Sequence, residues 1–447
     1  MTEVRDTKDS GKALFATREY AIGDIILQED KPLAILSHTT SYSAKNDSPF
    51  IAIAQAYQQS NTQLDIEAKL LSLYHPQADT ANPAEQELWK NSQSAAENDD
   101  RLHKIIMIAC CNSFQGGYVY EHASRINHSC QPNAIVNIQE DTGALLLRAL
   151  TPIVVGEEIG ISYAGLYLYT DTRARQHVLR RDKFFDCACV RCQEAVDPAN
   201  MIPCTKCHPR HQSHLDEATQ YDDDDEHPVK YMMWKSDQFV CESCDYVETL
   251  KSSVATVVHS ISDKVLQFLE QYKEQDNSSK ASSEQKDNAP QDEQDEELES
   301  LLQEHLSLAS SVLGARHWTT NLLLLLYLDR GLKQYHKKLI FQQAADDDMQ
   351  LDLAEHIDHL QRITQFVKRL KLHLHPGHLL SDVIVGIARA LVSLSDVKSA
   401  QYATRWLDHL IGYEPFLSEA LVKVVDSLKS AWTRMEADEP AHKKLKG

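Results

Sequence analysis

Residues 125–134, RINHSCQPNA, decide how the rest of this chain is interpreted. The stretch is too polar for the interior of a helix or strand, and its Asn and Ser side chains can hydrogen-bond nearby backbone groups. Pro132 fixes its own φ and favours an extended Gln131. Cys130 offers a soft metal ligand whose partners must come from elsewhere. The stretch predicts a shaped loop that holds something, although alone it also fits a surface turn with a buried cysteine.

Composition narrows the classes of protein that can surround this loop. The chain has 447 residues, enough for two or three domains, with 42% hydrophobic and 25% charged residues, as in ordinary globular proteins. Its net charge of −21 disfavours direct nucleic-acid binding and favours basic partners. The polar start, MTEVRDTKDSGKALF, and the short apolar runs predict no secretion signal and no membrane anchor. We therefore expect a folded protein of the cytosol, the nucleus or both.

Local patterns divide the chain into strands, a helical insertion and a helical C-terminal part. Residues 1–37 alternate around glycines and predict two or three strands from Gly11 onward, and residues 38–109 show helical spacing. Residues 110–169 return to strands, with a hairpin about the turn at 141–143. The predicted fold class is thus α+β. The remaining predicted segments are 170–250, with the cysteine clusters, and 251–447, which is helical.

Two features of the later chain leave alternatives open. A basic amphipathic helix is predicted at 170–181, and its Arg173, Arg175, Arg180 and Arg181 fit a solvated face or the rim of an active site equally well. Residues 273–297 have almost no apolar content and predict a disordered linker or long loop.

A weak internal similarity joins residues 313–321, LGARHWTTN, to residues 374–382, LHPGHLLSD, and suggests a repeated helical hairpin. His317 and His378 are then better explained as capping or packed histidines than as ligands.

The ten cysteines all lie between Cys110 and Cys244. In a reducing compartment such spacing indicates metal rather than disulfides. CxCxxC at 187–192 supplies three thiolates for tetrahedral Zn²⁺, and Cys130 is the best candidate for the fourth ligand. Two CxxC pairs predict a second four-cysteine site, and the alternative is four buried or paired cysteines without metal. Cys110 and Cys111 fit core positions. The predicted zinc ligands are Cys130, Cys187, Cys189 and Cys192 at one structural site and Cys204, Cys207, Cys241 and Cys244 at the other.

Four motifs together resemble a SET-domain methyltransferase: GKALFA at 11–16, NHSC followed by PN at 127–133, GEEIGISY at 156–163, and CxCxxC. The order of segments is similar to the SET-MYND class, whose SET domain is split by an insert and is commonly followed by a helical, TPR-like domain. The insertion at 38–109 has no paired cysteines, so the resemblance is to a relative that lacks the MYND finger. The specific motifs cover residues 10–195, and the remainder agrees only in architecture.

The resemblance implies a role for each matching residue. Tyr163 would be the catalytic tyrosine of the methyl-transfer channel. The implied contacts to S-adenosylmethionine are Lys12, Leu14, Asn112, Asn127, His128 and Phe185. Two positions depart from the family pattern: Ala13 stands where a second glycine is common, and Lys183 stands where many relatives have a tyrosine.

The function implied is S-adenosylmethionine-dependent N-methylation of a lysine in a histone or non-histone protein. The alternative is a catalytically weak or inactive SET scaffold that serves interactions, with Ala13 and Lys183 as its supporting features. The expected partners are a protein with an accessible lysine and, through the helical C-terminal part, a chromatin or chaperone partner.

Overall fold

The computed structural model describes residues 2–8, 11–36, 49–60, 63–80, 82–139, 142–207, 229–235, 237–249, 251–282, 291–340 and 353–372, and the single residues 383, 386, 387, 426 and 430. These residues form two compact units. The first contains residues 2–168 and 175–192, and the second contains residues 169–174 and the described residues from 193 onward. Among the described residues, no helix is long and apolar enough to cross a lipid bilayer.

Short strands build the first unit. They are β1 (Thr2–Asp6), β2 (Lys12–Ala16), β3 (Ile25–Glu29), β4 (Ala34–Ile35), β5 (Tyr118–Val119), β6 (Asn127–His128), β7 (Ala134–Ile138), β8 (Leu145–Ala149) and β9 (Gly160–Ile161). β1 pairs with β2, β4 pairs with β5, and β3, β8 and β7 form a three-stranded antiparallel sheet. β6 and β9 pair in parallel. The predicted strands therefore form, and β1 adds one in a polar segment where none was expected.

The predicted hairpin is confirmed in β7 and β8, which pair from Ala134 with Ala149 to Ile138 with Leu145. Gly143 lies in the connecting turn at φ 67°, a left-handed conformation that glycine adopts without steric cost. Its N–H donates to the carbonyl of Gln139 at 2.8 Å. Apolar residues from these strands form one core with neighbours such as Leu14, Tyr120 and Ile159.

The predicted helical insertion contains α1 (Pro49–Gln59), α2 (Leu64–Leu71), α3 (Pro83–Ala95) and α4 (Asp100–Asn112). Asn82 and Asp99 cap α3 and α4 because their side chains accept from free N–H groups of the first turn. The core between these helices also holds Leu36 and Val119, which joins the insertion to β4 and β5. Helix α4 ends at Asn112 rather than near 109, because the buried apolar run continues the helix.

Two further helices follow β9, α5 (Thr172–Lys183) and α6 (Val190–Gln193). Three of the four arginines of α5 fit a solvated face: Arg173 pairs with Asp263 at 2.7 Å, and Arg180 and Arg181 pair with nearby aspartates. Arg175 is fully buried instead, and its Nη2 lies 3.9 Å from the sulfur of Cys192.

The second unit begins with an antiparallel sheet that the sequence pattern did not indicate. Its strands, in order, are β10 (Val196–Pro203), β11 (Tyr231–Lys235), β12 (Gln238–Cys241) and β13 (Val247–Thr249). β11 and β12 pair from Met232 with Cys241 to Lys235 with Gln238.

The helices of the second unit are α7 (Ser253–Ser282), α8 (Gln291–Leu313), α9 (Trp318–Ile340) and α10 (Leu353–Arg369). The predicted disorder at 273–297 is wrong at both ends, because α7 continues to Ser282 and α8 begins at Gln291. Glu, Gln, Lys and Ala are good helix formers, so low apolar content does not exclude helix there. Residues 283–290 lie outside the described part of the chain.

His317 is fully buried and supports the packed-histidine interpretation. Its Nδ1 lies 2.8 Å from the hydroxyl of Thr319, and its Nε2 lies 3.0 Å from Oδ1 of Asn200. The proposed second repeat copy, with His378, falls at residues outside the described chain.

Candidate functional site

Strands β6 and β9 bring the NHSC loop beside the GISY segment. Asn127 pairs with Gly160 and His128 with Ile161, and Ser129 N–H donates to the carbonyl of Ile161 at 2.8 Å. The Ser129 hydroxyl accepts from Gln131 N–H at 3.1 Å, and this bond stabilises the turn around Cys130. The loop is therefore held by backbone and side-chain bonds.

Asn127 is oriented by an acidic neighbour. Its Nδ2 donates to Oε1 of Glu158 at 2.9 Å, a charge-assisted hydrogen bond between half-buried groups. Glu158 is itself held because it forms a β-bridge with Phe15 of β2. This bond uses one of the two N–H groups of Nδ2, so Oδ1 of Asn127 and the second N–H can still meet a ligand.

His128 links the loop to Tyr163 on one side and to Cys130 on the other. Its Nδ1 accepts from the backbone N–H of Tyr163 at 2.9 Å, so Nδ1 carries no proton in this arrangement. Its Nε2 lies 3.2 Å from the Cys130 sulfur and is the protonated nitrogen of the neutral ring. Burial lowers the pKa of His128 to about 4, which keeps the ring neutral at physiological pH.

Tyr163 lies in a group of aromatic rings. Its ring centroid is 5.4 Å from that of His128 and 6.5 Å from that of Phe185, and Phe185 is 5.9 Å from His128. The Tyr163 hydroxyl donates to the carbonyl of Ile126. Burial raises the pKa of Tyr163, so the phenol stays protonated and its oxygen keeps lone pairs for a further donor.

Lys183 lies on the ring of Tyr163, with Nζ 5.6 Å from the ring centroid. The next residue, Phe184, has φ 64°, and its carbonyl accepts from Nδ2 of Asn82. This left-handed residue ends α5 and directs Phe185 toward His128. The sequence does not predict the contact between Lys183 and Tyr163, although a lysine at position 183 departs from the family pattern.

The other three residues implied in cofactor contacts are placed differently. Leu14 is buried, and its carbonyl accepts from Ile159 N–H at 2.8 Å, so β2 runs beside the segment that carries Glu158. Lys12 is exposed at the start of that strand. Asn112 is buried at the end of α4, where its Nδ2 donates to the carbonyls of Tyr74 at 2.7 Å and Ile108 at 2.8 Å. Its amide nitrogen is thus used within the protein.

Two groups of four sulfur atoms are brought together as the sequence predicted. Tetrahedral ligands at about 2.3 Å from Zn²⁺ lie about 3.8 Å from one another. Cys130 Sγ lies 4.0 Å from that of Cys187 and 3.5 Å from that of Cys192. In each group all four sulfurs lie within 4.8 Å of one another, and the groups are Cys130, Cys187, Cys189 and Cys192, and Cys204, Cys207, Cys241 and Cys244.

The second group shows the same spacing. Cys204 lies 3.8 Å from Cys244 and Cys207 lies 3.8 Å from Cys241, measured between sulfur atoms. The backbone N–H of Cys207 also points at the Cys204 sulfur at 3.4 Å, as expected for a CxxC turn. Both groups are all-thiol and can supply four ligands, so each could hold a structural zinc ion.

Cys110 and Cys111 stand apart from both groups. Cys110 packs against the core of the insertion, as predicted. Burial raises the pKa of the Cys110 thiol to about 11 and also raises that of Cys111. Both are therefore neutral thiols at physiological pH.

The part of the chain that holds this site, residues 11–164, matches the family model described as "SET domain" and so resembles that class of protein. Within that class the chain is similar to the histone-lysine N-methyltransferase SMYD3 of Mus musculus, at 37% identity over 101 residues, which are 21% of this chain and 23% of SMYD3. It is also similar to the protein-lysine N-trimethyltransferase SMYD5 of Mus musculus, at 34% identity over 105 residues, or 23% of this chain and 25% of SMYD5.

A plant protein, the histone-lysine N-methyltransferase ASHR1 of Arabidopsis thaliana, is 30% identical over 136 residues, 30% of this chain and 28% of ASHR1. The chain thus matches about a quarter of the length of each of these relatives. The similarity supports a SET-MYND-like SET protein.

Proposed function

We propose that this chain is an S-adenosylmethionine-dependent protein-lysine N-methyltransferase that acts on histone or non-histone protein. The observation that carries the proposal is the parallel pairing of Asn127 and His128 with the strand that leads to Tyr163. It joins a loop suited to hold the methyl donor to a neutral, oriented phenol. The names of the relatives, each a lysine methyltransferase, agree with this function.

The residues suited to hold the cofactor are Lys12, Leu14, Asn112, Asn127, His128 and Phe185. Bound there, S-adenosylmethionine would supply an electrophilic methyl group on a positively charged sulfur. Both ring nitrogens of His128 are engaged within the protein, so its contribution would come from its backbone and ring face. Asn127 would bind through Oδ1 or its second N–H, in the orientation that the bond from Nδ2 to Glu158 sets.

The acceptor must be a neutral amine, and free lysine titrates near a pKa of about 10.4. Desolvation among the rings of Tyr163, His128 and Phe185 lowers an arriving amine's pKa. Tyr163 would orient the amine by accepting a hydrogen bond on the oxygen that already donates to Ile126. Positioning of this kind supplies most of the rate in a direct displacement.

Zinc at both thiol groups belongs to the same proposal. At the first group the metal would tie Cys130, and with it the NHSC loop, to the segment that carries Phe185. At the second it would join the CxxC turn after β10 to the one after β12. Four thiolates in each group would fill the tetrahedral coordination of a zinc ion and leave no position for water or substrate, so both zinc ions would be structural.

The partner would be a protein with an accessible lysine, and the net charge of −21 favours a basic one. We further propose that the helices α7 to α10 serve as a TPR-like surface for a chromatin or chaperone partner. The protein would then act in the cytoplasm, the nucleus or both.

A test incubates the full-length protein with methyl-labelled cofactor and a mixture of histones. Tyr163→Phe and Asn127→Ala should each reduce label transfer by about a hundredfold or more, whereas Tyr246→Phe, a tyrosine of the second unit that bonds Glu248, should leave it unchanged.

A second candidate, a SET scaffold without turnover, is favoured by the presence of Lys183 against Tyr163. Calorimetry separates the two functions. A protein that binds no cofactor and transfers no label would support the scaffold and end the enzyme proposal.

A further inference from the structure

The amine of Lys183 lies over the ring of Tyr163. Its Nζ is 5.6 Å from the ring centroid of Tyr163, within cation–π range, at the end of a half-buried side chain. Tyr163 is the residue assigned above to orient the amine of a substrate. A lysine of the chain itself therefore already reaches the proposed methyl-transfer site.

The backbone around Lys183 is held firmly. Phe184 adopts a left-handed conformation at φ 64°, and Nδ2 of Asn82 donates to its carbonyl. Arg180, one turn earlier, reaches across the end of the helix to Asp186, with its Nε 2.9 Å from Oδ1. One contact lies before Lys183 in the sequence and the other lies after it, and together they fix the end of the helix from which the Lys183 side chain reaches the Tyr163 ring.

In the part of the chain that the structure describes, the titratable groups that act on Lys183 are Cys110, Cys111 and Asp182. Cys110 and Cys111 of α4 face Lys183 as neutral thiols. The carboxylate of the adjacent Asp182 is bound by both Nε and Nη2 of Arg181, at 2.5 and 2.8 Å. Burial is the main influence and lowers the pKa of Lys183.

Lys69 provides the contrast. Its Nζ lies 2.6 Å from Oε2 of Glu121 at the surface, and the hydrogen bond to Glu121 raises the pKa of Lys69. A lysine in that setting is held as the cation and is not a nucleophile. Lys183, on an aromatic face and desolvated, has the larger neutral fraction at a given pH.

We propose that Lys183 is itself a methyl acceptor, modified within its own molecule at the site that Tyr163 lines. This inference rests on the proposed function. In the step, the lone pair of neutral Nζ forms an N–C bond to the methyl carbon while the C–S bond breaks and its electron pair stays on sulfur. The proton whose loss makes Nζ neutral leaves to solvent before this step, and the products are the N-methylammonium form of Lys183 and S-adenosylhomocysteine.

Methylation would change the site without removing its charge. A methylated lysine amine stays cationic and adds apolar surface against the Tyr163 ring, a combination that aromatic faces bind well. The modified side chain would therefore remain on the ring and leave less room for an external lysine.

The test incubates the purified full-length protein with methyl-deuterated cofactor and locates the label by peptide mass spectrometry. We expect label on Lys183 with a first-order rate that does not change on tenfold dilution. Lys183→Arg and Tyr163→Phe should each abolish label at this peptide, and Lys69→Arg should not.

Absence of label on Lys183 overturns the inference. If added histones are labelled in the same tube, the proposed function survives and only the self-modification fails; if they are not, both fail. A labelling rate that rises in proportion to protein concentration also overturns it, because the transfer is then between molecules.

A second experiment, done without cofactor, tests whether the Lys183 amine is the more readily deprotonated one. Competitive acetylation of the protein over a range of pH, with each lysine quantified by mass spectrometry, reports where each amine titrates. Lys183 should reach half-maximal reactivity at a lower pH than Lys69. A Lys183 that titrates with Lys69 or above it contradicts the inference.

Discussion

Removal of the Glu158 carboxylate tests whether Asn127 acts through its orientation. Glu158 Oε1 accepts from Asn127 Nδ2 at 2.9 Å, and both side chains are half-buried. In Glu158→Ala this donor loses a charged partner, and hydrogen bonds to charged groups contribute about 1.5–3 kcal/mol. Since about 1.4 kcal/mol is a tenfold change in Kd, binding of the cofactor should weaken by about ten- to a hundredfold.

Glu158→Gln keeps an acceptor but loses the charge, so the hydrogen bond should retain about half its strength and the loss should stay below about tenfold. Glu157→Ala is the matched control. The side chain of Glu157 accepts from Asn133 Nδ2 at 3.0 Å and Val154 N–H at 3.0 Å, neither of which belongs to the proposed cofactor residues. It should lower thermal stability and leave Kd within about twofold.

The assay is calorimetric titration of each purified variant with S-adenosylmethionine and, separately, with S-adenosylhomocysteine. The order of affinity should be wild type, then Glu158→Gln, then Glu158→Ala, with both ligands. If Glu158→Ala binds as tightly as wild type, or if Glu157→Ala weakens binding as much, the orientation of Asn127 by Glu158 is not what matters.

Three further predictions concern metal, pH and backbone. Elemental analysis should find about two zinc ions per chain. Cys244→Ser should lose one zinc ion and keep cofactor binding, whereas Cys130→Ser should lose one zinc ion and bind the cofactor more weakly. An unchanged zinc content in either variant contradicts the assignment of that cysteine as a ligand. Burial lowers the pKa of His317 to about 3, so the folded state binds fewer protons than the unfolded state, and stability present above about pH 6.5 is lost as pH falls toward 3. In urea unfolding, the free energy of unfolding should differ less between pH 7.5 and pH 5 for His317→Gln than for wild type. An equal difference refutes this role of His317. Gly314→Ala should cost more than about 1 kcal/mol in urea unfolding, because the residue has φ 79° and an added Cβ would lie 2.8 Å from Cγ of Pro203; an unchanged midpoint excludes this strain.

Residue types and short spacings were sufficient to predict the two thiol groups. Thiolate ligands within a CxC or CxxC pair lie within one turn of chain, so their proximity is a local property. Cys130 lies 57 residues from Cys187, and the fold brings these two sulfur atoms together. The hairpin of β7 and β8 and the helices of the insertion followed from periodicity in the same way. The helical ends of 273–297 did not follow from apolar content, because the Glu, Gln, Lys and Ala residues of this segment favour helix without it.

The local patterns did not show which way buried amides and charges face. Asn112 has its amide nitrogen bonded to Tyr74 and Ile108, and Asn127 has its own bonded to Glu158. Each bond joins partners whose choice depends on three-dimensional packing. The cofactor roles given to these two asparagines therefore stay predictions, and the structure shows that Glu158 orients the amide of Asn127.

By itself the sequence determined the SET-like motifs, the NHSC loop and the CxC and CxxC pairs, since these depend on residue type and short spacing. Only the tertiary structure decided that Tyr163 hydrogen-bonds His128 through its backbone, that Glu158 orients Asn127, and that Lys183 lies on the Tyr163 ring. The physical reason is that each contact joins segments far apart in the chain, and their approach depends on the parallel pairing of β6 with β9 and on the turn that ends α5.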